Sequence, residues 1–507
     1  MNKKPHIIIF NVDQWRGDVL GHIGNPAAET PNLDKLVEED AVSFRNAFCQ
    51  NPVCTPSRCS FMTGWYPHIR GHRTMYHMLH LERNEPNLLR ILRDNGYFVW
   101  WAGRNDLIPA QQTSKNVCDV RFWPKDEDND RWGHKPKPNL HASTKWRGKP
   151  EDDSYYSFYA GKLDTKGDDI YFDFDWGMIL GAIDFIQNYD NEKPFCMYIA
   201  LANPHPPYGI EEPWFSKIDR KKLPPRNFTP KDWAGKASLL KGIYERQNLQ
   251  TWTEHRWNEL RATYYGMCAR IDHQFGLLIS KLKECGYYKD CGIFFFSDHG
   301  DFTGDYGLVE KTQNTFEDCL TRVPFIIKPS SNIRVKPRVS DALVELVDFS
   351  ETIYDLTGIN PNYSRFGKSL IPILQGETEK HRDAVFCEGG RLYGEKHAME
   401  LESPSNLNPT GLYWPRVGLQ ITDERPYHGK AVMCRTKHFK YIKRLYETDE
   451  LYDLKNDAEE MHNIIDDLIY TEVLTKMKER LLTWYLETCD VVPFEIDWRF
   501  KRIAKKD

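Results

Sequence analysis

Short, nearly continuous apolar runs alternate with amphipathic segments through the first two-thirds of the chain. Apolar runs of strand length predict strands that are buried on both faces, as in a sheet covered by helices. The alternation therefore predicts an α/β fold, with a large and mostly parallel sheet sandwiched by helices. The predicted strands are 6–12, 97–102, 195–202, 292–297 and 323–328, and the predicted helices are 31–39, 87–95, 175–189 and 253–285.

The last part of the chain has a different pattern, in which several short strand-like runs precede one helix. This pattern predicts a smaller α+β subdomain that contains an antiparallel sheet. We therefore divide the chain into a large α/β domain, 1–376, and a C-terminal α+β subdomain, 377–507. Two long stretches, 104–170 and 206–250, interrupt the large domain, and loops of that length are more often functional than incidental.

Charge and cysteine usage exclude several classes of function. Lys and Arg number 68 against 73 Asp and Glu, so there is no basic excess to bind nucleic acid. No apolar run is long enough to cross a membrane, and the N-terminus lacks the apolar core and cleavage site of a signal peptide. Twelve scattered cysteines without a Cys-x-x-Cys pair indicate reduced thiols. We expect a cytoplasmic protein with no nucleic-acid and no membrane partner.

Polar pairs follow two of the predicted strands at their carboxyl ends. Asp13 and Gln14 come after the first strand, and Asp298 and His299 come after the fourth. In a parallel sheet these ends meet at one edge, so the two pairs can reach one point. Oxygen ligands suit Ca²⁺ or Mg²⁺, and an imidazole nitrogen favours Mn²⁺. Each pair alone also fits an ordinary strand end; together they predict a site for one divalent metal.

Residues 52–64 read PVCTPSRCSFMTG and carry the most specific motif of the chain. Cys54 begins a Cys-x-Pro-Ser-Arg sequence that Thr63 and Gly64 follow. The chain thereby resembles the type I sulfatases of the alkaline-phosphatase superfamily, which implies an alkaline-phosphatase-like fold. The resemblance also implies that a maturation enzyme oxidises Cys54 to formylglycine. The hydrated aldehyde would then be the nucleophile.

The same resemblance implies a complete active site. Asp13, Gln14, Asp298 and His299 match the family's metal ligands, and residue 54 completes the set. Ca²⁺ is the expected ion, with Mn²⁺ and Mg²⁺ as alternatives.

Further side chains acquire roles from the resemblance. Arg58 would hold the nucleophile and the carboxylates, Lys311 would bind the sulfate oxygens, and His205 would protonate the leaving alcohol.

One stretch departs from the family pattern. Sulfatases usually carry Gly-Lys-x-His after the second strand, whereas this chain has Gly103, Arg104, Asn105 and Asp106. Arg104 can replace the lysine as a cation that binds sulfate. Asp106 stands in place of the histidine that deprotonates the hydrated aldehyde, so either Asp106 or another base, such as His72, regenerates the aldehyde.

The predicted function is hydrolysis of a sulfate ester, with a sulfated small molecule or saccharide as the substrate. The inserts would shape the pocket mouth. Basic residues of the first insert would either bind a second anionic group or lie in solvent: His134, Lys135, Lys137, Lys145 and Arg147.

Two alternatives stay open. The Asp-Gln and Asp-His ligand set also resembles that of phosphonate monoester hydrolases, whose relatives cleave phosphate diesters at the same kind of site. A non-catalytic sulfoglycan-binding protein is the alternative from another class, and the intact motif argues against it.

Overall fold

The computed structural model describes residues 4–401, 407–421, 427–494 and 499. The strands of this part of the chain are β1 His6–Asp13, β2 Val42–Phe48, β3 Phe98–Gly103, β4 Val120–Phe122, β5 Tyr159–Lys162, β6 Phe195–Pro204, β7 Tyr208–Ile210, β8 Cys291–Ser297, β9 Arg322–Val323, β10 Phe325–Lys328, β11 Arg338–Glu345, β12 Val385–Gly389, β13 Ala431–Arg435, β14 Phe439–Arg444 and β15 Glu450–Asp453. The helices are α1 Pro31–Glu39, α2 Cys54–Thr63, α3 Leu88–Asp94, α4 Asp126–Trp132, α5 Phe174–Gln187, α6 Trp214–Lys217, α7 Ser238–Gln247, α8 Glu254–Glu284, α9 Asp318–Thr321, α10 Asp348–Thr357, α11 Ile371–Leu374, α12 Trp414–Ile421 and α13 Thr471–Thr488.

A nine-stranded sheet forms the centre of the large domain, in the order β11-β2-β10-β8-β1-β6-β3-β4, with β9 paired to β2. The central strand β1 runs parallel to both of its neighbours, β6 and β8. β3 and β4 continue the parallel arrangement, whereas β10 runs antiparallel to β8 and to β2. The prediction of a large, mostly parallel sheet is confirmed.

Helices cover both faces of this sheet, as the apolar runs predict. Alternate residues of β1 enter two separate cores: Ile7 and Ile9 lie in one, and Ile8 and Phe10 in the other. Helices α2, α3 and α10 pack on the first face, and α1, α5 and α8 pack on the second. Because both faces are dry, the strands need apolar residues at every position.

The C-terminal part forms a four-stranded antiparallel sheet in the order β12-β13-β14-β15, on which α13 packs. Phe386 of β12 stacks on Trp484 of α13 with ring centroids 4.5 Å apart. Other side chains of this sheet, including Met433 and Ile442, join the core beneath α2 and α3. The predicted α+β character is confirmed, whereas the boundary at residue 376 stays a prediction.

Two further properties concern the described residues. None of their helices combines the length and the apolar character that crossing a bilayer requires. All twelve cysteines are free, and nine of them are buried.

Candidate active site

Four side chains with metal-binding atoms converge at the carboxyl edge of the large sheet. Asp13 ends β1, Asp298 and His299 follow β8, and Cys54 is the first residue of α2. Their ligand atoms all lie within 4.8 Å of one another, and all four residues are buried. The carboxylates meet because β1 and β8 are parallel neighbours whose ends coincide. The hydroxyl of Ser57 donates to the Asp298 carbonyl at 2.6 Å and so fixes α2 against this edge.

The spacing of these atoms suits one cation. The Cys54 Sγ lies 3.2 Å from His299 Nε2 and 3.5 Å from Asp13 Oδ1. His299 Nε2 lies 3.7 Å from Asp13 Oδ1 and 3.8 Å from Asp298 Oδ1. Neighbouring ligands of an octahedral ion with bonds of about 2.0–2.6 Å are separated by roughly 2.8–3.7 Å. Two carboxylates and an imidazole at these distances fit a divalent metal.

His299 presents its Nε2 to the cluster because its other ring nitrogen is occupied. Nδ1 lies 2.9 Å from the carbonyl of Gly300, which it can reach only as a donor. Gly300 permits the close turn that follows, since a Cβ there would lie 2.0 Å from the carbonyl oxygen of Cys319. Burial is the main cause that lowers the pKa of His299, so the ring is neutral and can bind a metal.

Gln14 lies beside the cluster in a conformation that few residues other than glycine adopt, with φ of 71°. Its backbone N–H donates to Asp298 Oδ1 at 3.1 Å. Its side-chain Nε2 donates to Asp301 Oδ2 at 2.5 Å, while Oε1 accepts from Lys311 Nζ at 2.8 Å. The unusual backbone thus turns Gln14 towards the same edge as Asp13, although adjacent residues of a strand point to opposite faces.

Arg58 is fully buried and contacts three carboxylates. Nε and Nη2 donate to Asp298 and Asp13, and Nη1 lies 3.7 Å from Asp106 Oδ2. Neither Arg58 Nη1 nor Asp106 Oδ2 has a hydrogen-bond partner among the described residues. Burial opposes the charge of Arg58, but Asp298 and the other carboxylates raise its pKa well above the usual value. Within the described part of the chain, Arg58 Nη1 and Asp106 Oδ2 are thus two buried polar atoms whose hydrogen-bonding capacity is unused.

The thiol of Cys54 is held neutral in this environment. Burial is the largest cause that raises its pKa well above the usual value, and the charges of Asp13 and Asp298 act in the same direction. A neutral thiol is a poor nucleophile.

Two further cations, Arg104 and Lys311, lie beside the cluster. Arg104 Nη1 lies 3.6 Å from Asp13 Oδ2, and Lys311 Nζ lies 3.3 Å from Glu310 Oε1. Burial opposes the charge of Lys311, but nearby Cys54 and Glu310 raise its pKa above the usual value. Two fixed cations next to the nucleophile position can bind an anionic group.

His205 lies on the loop after β6, with Nδ1 2.6 Å from the carbonyl of Pro206. Nδ1 therefore acts as the donor, and Nε2 is left to interact with a ligand. Burial, followed by the charges of Lys311 and Arg104, lowers the pKa of His205 well below the usual value.

Two residues near His205 have no signal in the sequence. The ring of His141, from the first insert, lies 5.4 Å from the His205 ring, and burial, Arg104 and Lys311 lower the pKa of His141 to about 4. Asp175 accepts from the backbone N–H groups of Ala202 and Asn203, at 2.8 Å each, and thereby anchors the end of β6, just before His205. His141 lies in a polar stretch, and Asp175 lies in the first turn of a helix, where acidic residues are common, so neither stands out in a single sequence.

Other predicted residues lie elsewhere. His72 has Nδ1 2.9 Å from the carbonyl of His77 and Nε2 3.4 Å from Glu85, and within the described part of the chain neither ring nitrogen bonds to the cluster. Of the basic residues of the first insert, Lys137 forms an ion pair with Asp168, and Arg147 donates to backbone carbonyls.

Comparison with known families identifies the chain. The model of the sulfatase family matches residues 5–359, which is more than half of the sequence. The chain belongs to the sulfatase family. A second family model, N-sulphoglucosamine sulphohydrolase, C-terminal, matches residues 426–486.

Individual sulfatases and related hydrolases resemble the whole chain. An arylsulfatase from Clostridium perfringens is 26% identical, with 94% of each chain covered. The fold is similar to that of a phosphonate monoester hydrolase from Silicibacter pomeroyi, with a TM-score of 0.71, 22% identity and 96% of each chain covered. It is also similar to that of a protein solved with its substrate D-glucosamine-2-N,6-O-disulfate, with a TM-score of 0.67, 19% identity, and 96% and 98% of the two chains covered.

The predicted resemblance to the type I sulfatases of the alkaline-phosphatase superfamily is confirmed. The protein is a sulfatase, an enzyme of the class that hydrolyses sulfuric esters.

Proposed function

We propose that this sulfatase cleaves the sulfate ester of a small saccharide or similar alcohol, with residue 54 as a formylglycine nucleophile. The convergence of Asp13, Cys54, Asp298 and His299 within 4.8 Å is the observation that carries the proposal. A motif cysteine that lies among metal-binding groups and next to two cations is suited to attack on an anionic ester.

Because the thiol of Cys54 is neutral, we expect this residue to be modified before it can act as a nucleophile. The neutral thiol would attack sulfur slowly, and a sulfur–sulfur adduct has no internal route to release. A hydrated aldehyde instead offers one hydroxyl for attack on sulfur and a second whose deprotonation expels sulfate and restores the aldehyde. Atoms balance because one water enters per turnover, and the alcohol and sulfate leave.

The residues of the cluster would together bind the metal ion. A divalent cation bound by Asp13, Gln14, Asp298, His299 and residue 54 would supply positive charge beside the nucleophile and lower the pKa of its hydroxyl. We expect Ca²⁺, with Mn²⁺ or Mg²⁺ as alternatives, because the donors are mostly oxygen.

Arg58 keeps both carboxylates in orientation. Lys311 and Arg104 bind the sulfate oxygens, on which negative charge grows in the transition state. His205, in its protonated imidazolium form, gives the proton on Nε2 to the leaving alcohol, and Asp106 is the base that receives the proton of the second hydroxyl.

The decisive experiment joins mass spectrometry with kinetics. The protein is co-expressed with a formylglycine-generating maturation enzyme, and the peptide that contains residue 54 is weighed. We expect the aldehyde form, together with hydrolysis of an aryl sulfate. Cys54→Ala abolishes turnover, whereas Cys59→Ala, one and a half turns along the same helix, retains it. Wild-type activity in Cys54→Ala would falsify the proposal.

Phosphonate monoester or phosphodiester hydrolysis is the second candidate. Gln14 next to Asp13 favours it, because the same pair resembles the ligand set of that branch. Parallel measurement of kcat/KM for an aryl sulfate and an aryl phosphonate monoester separates the two reactions. We expect the sulfate to have the larger value.

The protein with confirmed formylglycine also serves to test a non-catalytic role in binding sulfated glycans. Tight glycan binding without sulfate release, in protein with confirmed formylglycine, would support that role instead. A cytoplasmic location also stays a prediction, which fractionation of the native host would test.

A further inference from the structure

A cavity of about 560 Å³ opens from the sulfate-binding side of the active site into the first insert. Arg104, His141 and His205 of the active site are among the residues that line it. This volume is typical of sites for small molecules, which occupy roughly 300–1,000 Å³. The group that leaves with the alcohol oxygen must extend away from residue 54 past His205, and this cavity begins there.

The walls of the cavity are largely apolar. Aromatic rings and prolines from the start of α5 and the loops on either side of α4 supply most of them: Trp123, Pro124, Pro136, Pro138, Phe172 and Phe174. Trp123 is half exposed and packs on Phe174 with ring centroids 5.0 Å apart. Flat aromatic surfaces of this kind bind the faces of sugar or aryl rings.

Neither cation of the cavity is available for a second anionic group, because Arg104 is assigned to the cleaved sulfate and Lys137 forms an ion pair. Among the described residues, Arg104 and Lys137 are the only Lys or Arg side chains that line it. Arg104 faces the carboxylate of Asp13, and Lys137 is neutralised by Asp168 and also donates to the Thr165 carbonyl at 2.8 Å. No cation in this part of the chain is left to bind a second anionic group of the substrate.

Asn129, on α4, adds an unsatisfied polar group to the cavity. It lines the cavity, is 93% buried, and its Oδ1 has no hydrogen-bond partner among the described residues. A buried acceptor without a partner is costly and is satisfied by a ligand hydroxyl or N–H. The unpartnered carbonyl oxygen can accept a hydrogen bond from a substrate hydroxyl.

We propose that this cavity binds the leaving group, and that this group is a small ring alcohol with no charge besides the sulfate ester. The inference rests on the proposed function and narrows its substrate class to singly sulfated monosaccharides or aryl alcohols. A second sulfate would be buried against aromatic walls without a counter-ion, which is strongly unfavourable.

The test compares aryl sulfates that differ only in a ring substituent. One carries a neutral group and the other a sulfonate, and the two are matched in the acidity of the leaving phenol. We expect kcat/KM to be at least about 100-fold lower for the sulfonate. A penalty below about 10-fold overturns the inference. Protein with confirmed formylglycine that hydrolyses neither ester overturns the proposed function as well.

Sugars are tested as inhibitors, because inhibition does not depend on which position is cleaved. Singly sulfated monosaccharides should compete with the neutral aryl sulfate, whereas D-glucosamine-2-N,6-O-disulfate should inhibit at least about 100-fold more weakly. Equal inhibition contradicts the inference. If only aryl esters bind, the leaving group is aryl; if monosaccharide sulfates also bind, it is a sugar.

A charge placed in the cavity provides a matched control. Trp123→Lys should reduce the penalty on the sulfonated ester at least about 10-fold, because the new cation can pair with it. Phe228→Lys adds the same charge at an exposed position outside the cavity and should leave the ratio unchanged. An unchanged ratio in Trp123→Lys means that the leaving group does not occupy this cavity.

Discussion

The guanidinium of Arg58 donates to both carboxylates of the metal cluster, with Nε 2.9 Å from Asp298 Oδ2 and Nη2 2.9 Å from Asp13 Oδ2. Arg58 belongs to α2, whereas Asp13 ends β1 and Asp298 follows β8. One planar cation therefore sets the orientation of three segments, and it offsets two negative charges that are removed from water.

Arg58→Lys tests this geometry. An ammonium group cannot donate to both carboxylates in the same fixed arrangement, so we expect kcat for an aryl sulfate to fall at least about 100-fold. Because Arg58 is part of the motif, the extent of oxidation at residue 54 is measured by mass spectrometry and used to correct kcat. Arg45→Lys, at the surface, serves as the control. A corrected kcat near the wild-type value contradicts the role of Arg58.

Removal of the proposed metal should lower both activity and thermal stability. A ligand at 100 times its Kd stabilises the folded state by about 2.7 kcal/mol. A chelator should therefore lower the Tm, and added Ca²⁺, Mn²⁺ or Mg²⁺ should restore it to different extents. Asp298→Asn should remove the response of the Tm to metal. A Tm that is insensitive to chelator and metals in the wild-type protein would count against a metal site.

The role of His205 predicts a dependence on the leaving group. His205→Gln should reduce kcat/KM by about 100-fold for a sugar sulfate but much less for a nitrophenyl sulfate, whose alcohol leaves without a proton. His438→Gln, an exposed control, should change neither value. Equal losses on both substrates would exclude His205 as the acid.

The titration of His205 should also determine how kcat/KM depends on pH. The acid must be protonated, and the pKa of His205 lies well below its usual value in the free protein because of burial, Lys311 and Arg104. We therefore expect kcat/KM for the sugar sulfate to decrease between about pH 5 and about pH 7. A flat profile across this interval would contradict the assignment.

Asp175 acts as a positioning residue for His205. Its two carboxylate oxygens accept from Ala202 N–H and from Asn203, and burial together with Asp173 raises its pKa to about 6. Asp175→Asn loses one acceptor, so we expect kcat for the sugar sulfate to fall about 10-fold to 100-fold, with little change in KM. The nitrophenyl ester should be less affected, as in His205→Gln. A similar loss on both esters would indicate a purely structural role.

The fold follows from the sequence wherever the strands are buried on both faces. The central strands β1, β3, β6 and β8 lie within three residues of the predicted bounds. β2 and β11 were not predicted, because polar residues interrupt them: Arg45 and Asp341 form an ion pair 3.0 Å apart on this more exposed edge. Where one face meets solvent, the continuous apolar signal is lost.

Residues of the candidate site can be predicted from the sequence only where adjacent positions form a recognisable motif. The motif at Cys54 and the pairs at Asp13 and Asp298 are local patterns, and the structure brings them together. His141 approaches His205 through the fold of the insert, across more than sixty positions of sequence. No spacing rule describes such a contact, so it becomes visible only in three dimensions. The roles of these residues stay predictions.

The C-terminal sheet is joined to the large domain by a buried ion pair. Arg382, just before β12, pairs with Asp348 at the start of α10 and, at 2.9 Å, with Glu345 at the end of β11. Asp348→Asn leaves a buried cation with one partner fewer, which typically costs about 3–5 kcal/mol. We expect the Tm at neutral pH to fall by on the order of 5 °C. An unchanged Tm would show that the pair contributes little.

The same carboxylate predicts a dependence of stability on pH. Burial opposes its charge, but Arg382 and His381 lower the pKa of Asp348 far below the usual value. Its contribution is fully present above the unfolded pKa of about 3.9 and is lost as the pH falls through the depressed folded value. The difference in Tm between the wild-type protein and Asp348→Asn should therefore shrink below about pH 4. A constant difference would contradict this assignment.

The burial of Cys54 sets an order of events. The residue is 1% exposed, lies at the start of a helix, and is enclosed by β1, β8 and the segment that carries Lys311. An enzyme that oxidises this side chain must bind the surrounding peptide in its own active site. In the folded protein that peptide is buried and cannot be bound. If residue 54 is oxidised as proposed, the oxidation must happen on the nascent or unfolded polypeptide. Protein that folds first would keep its thiol permanently and remain inactive.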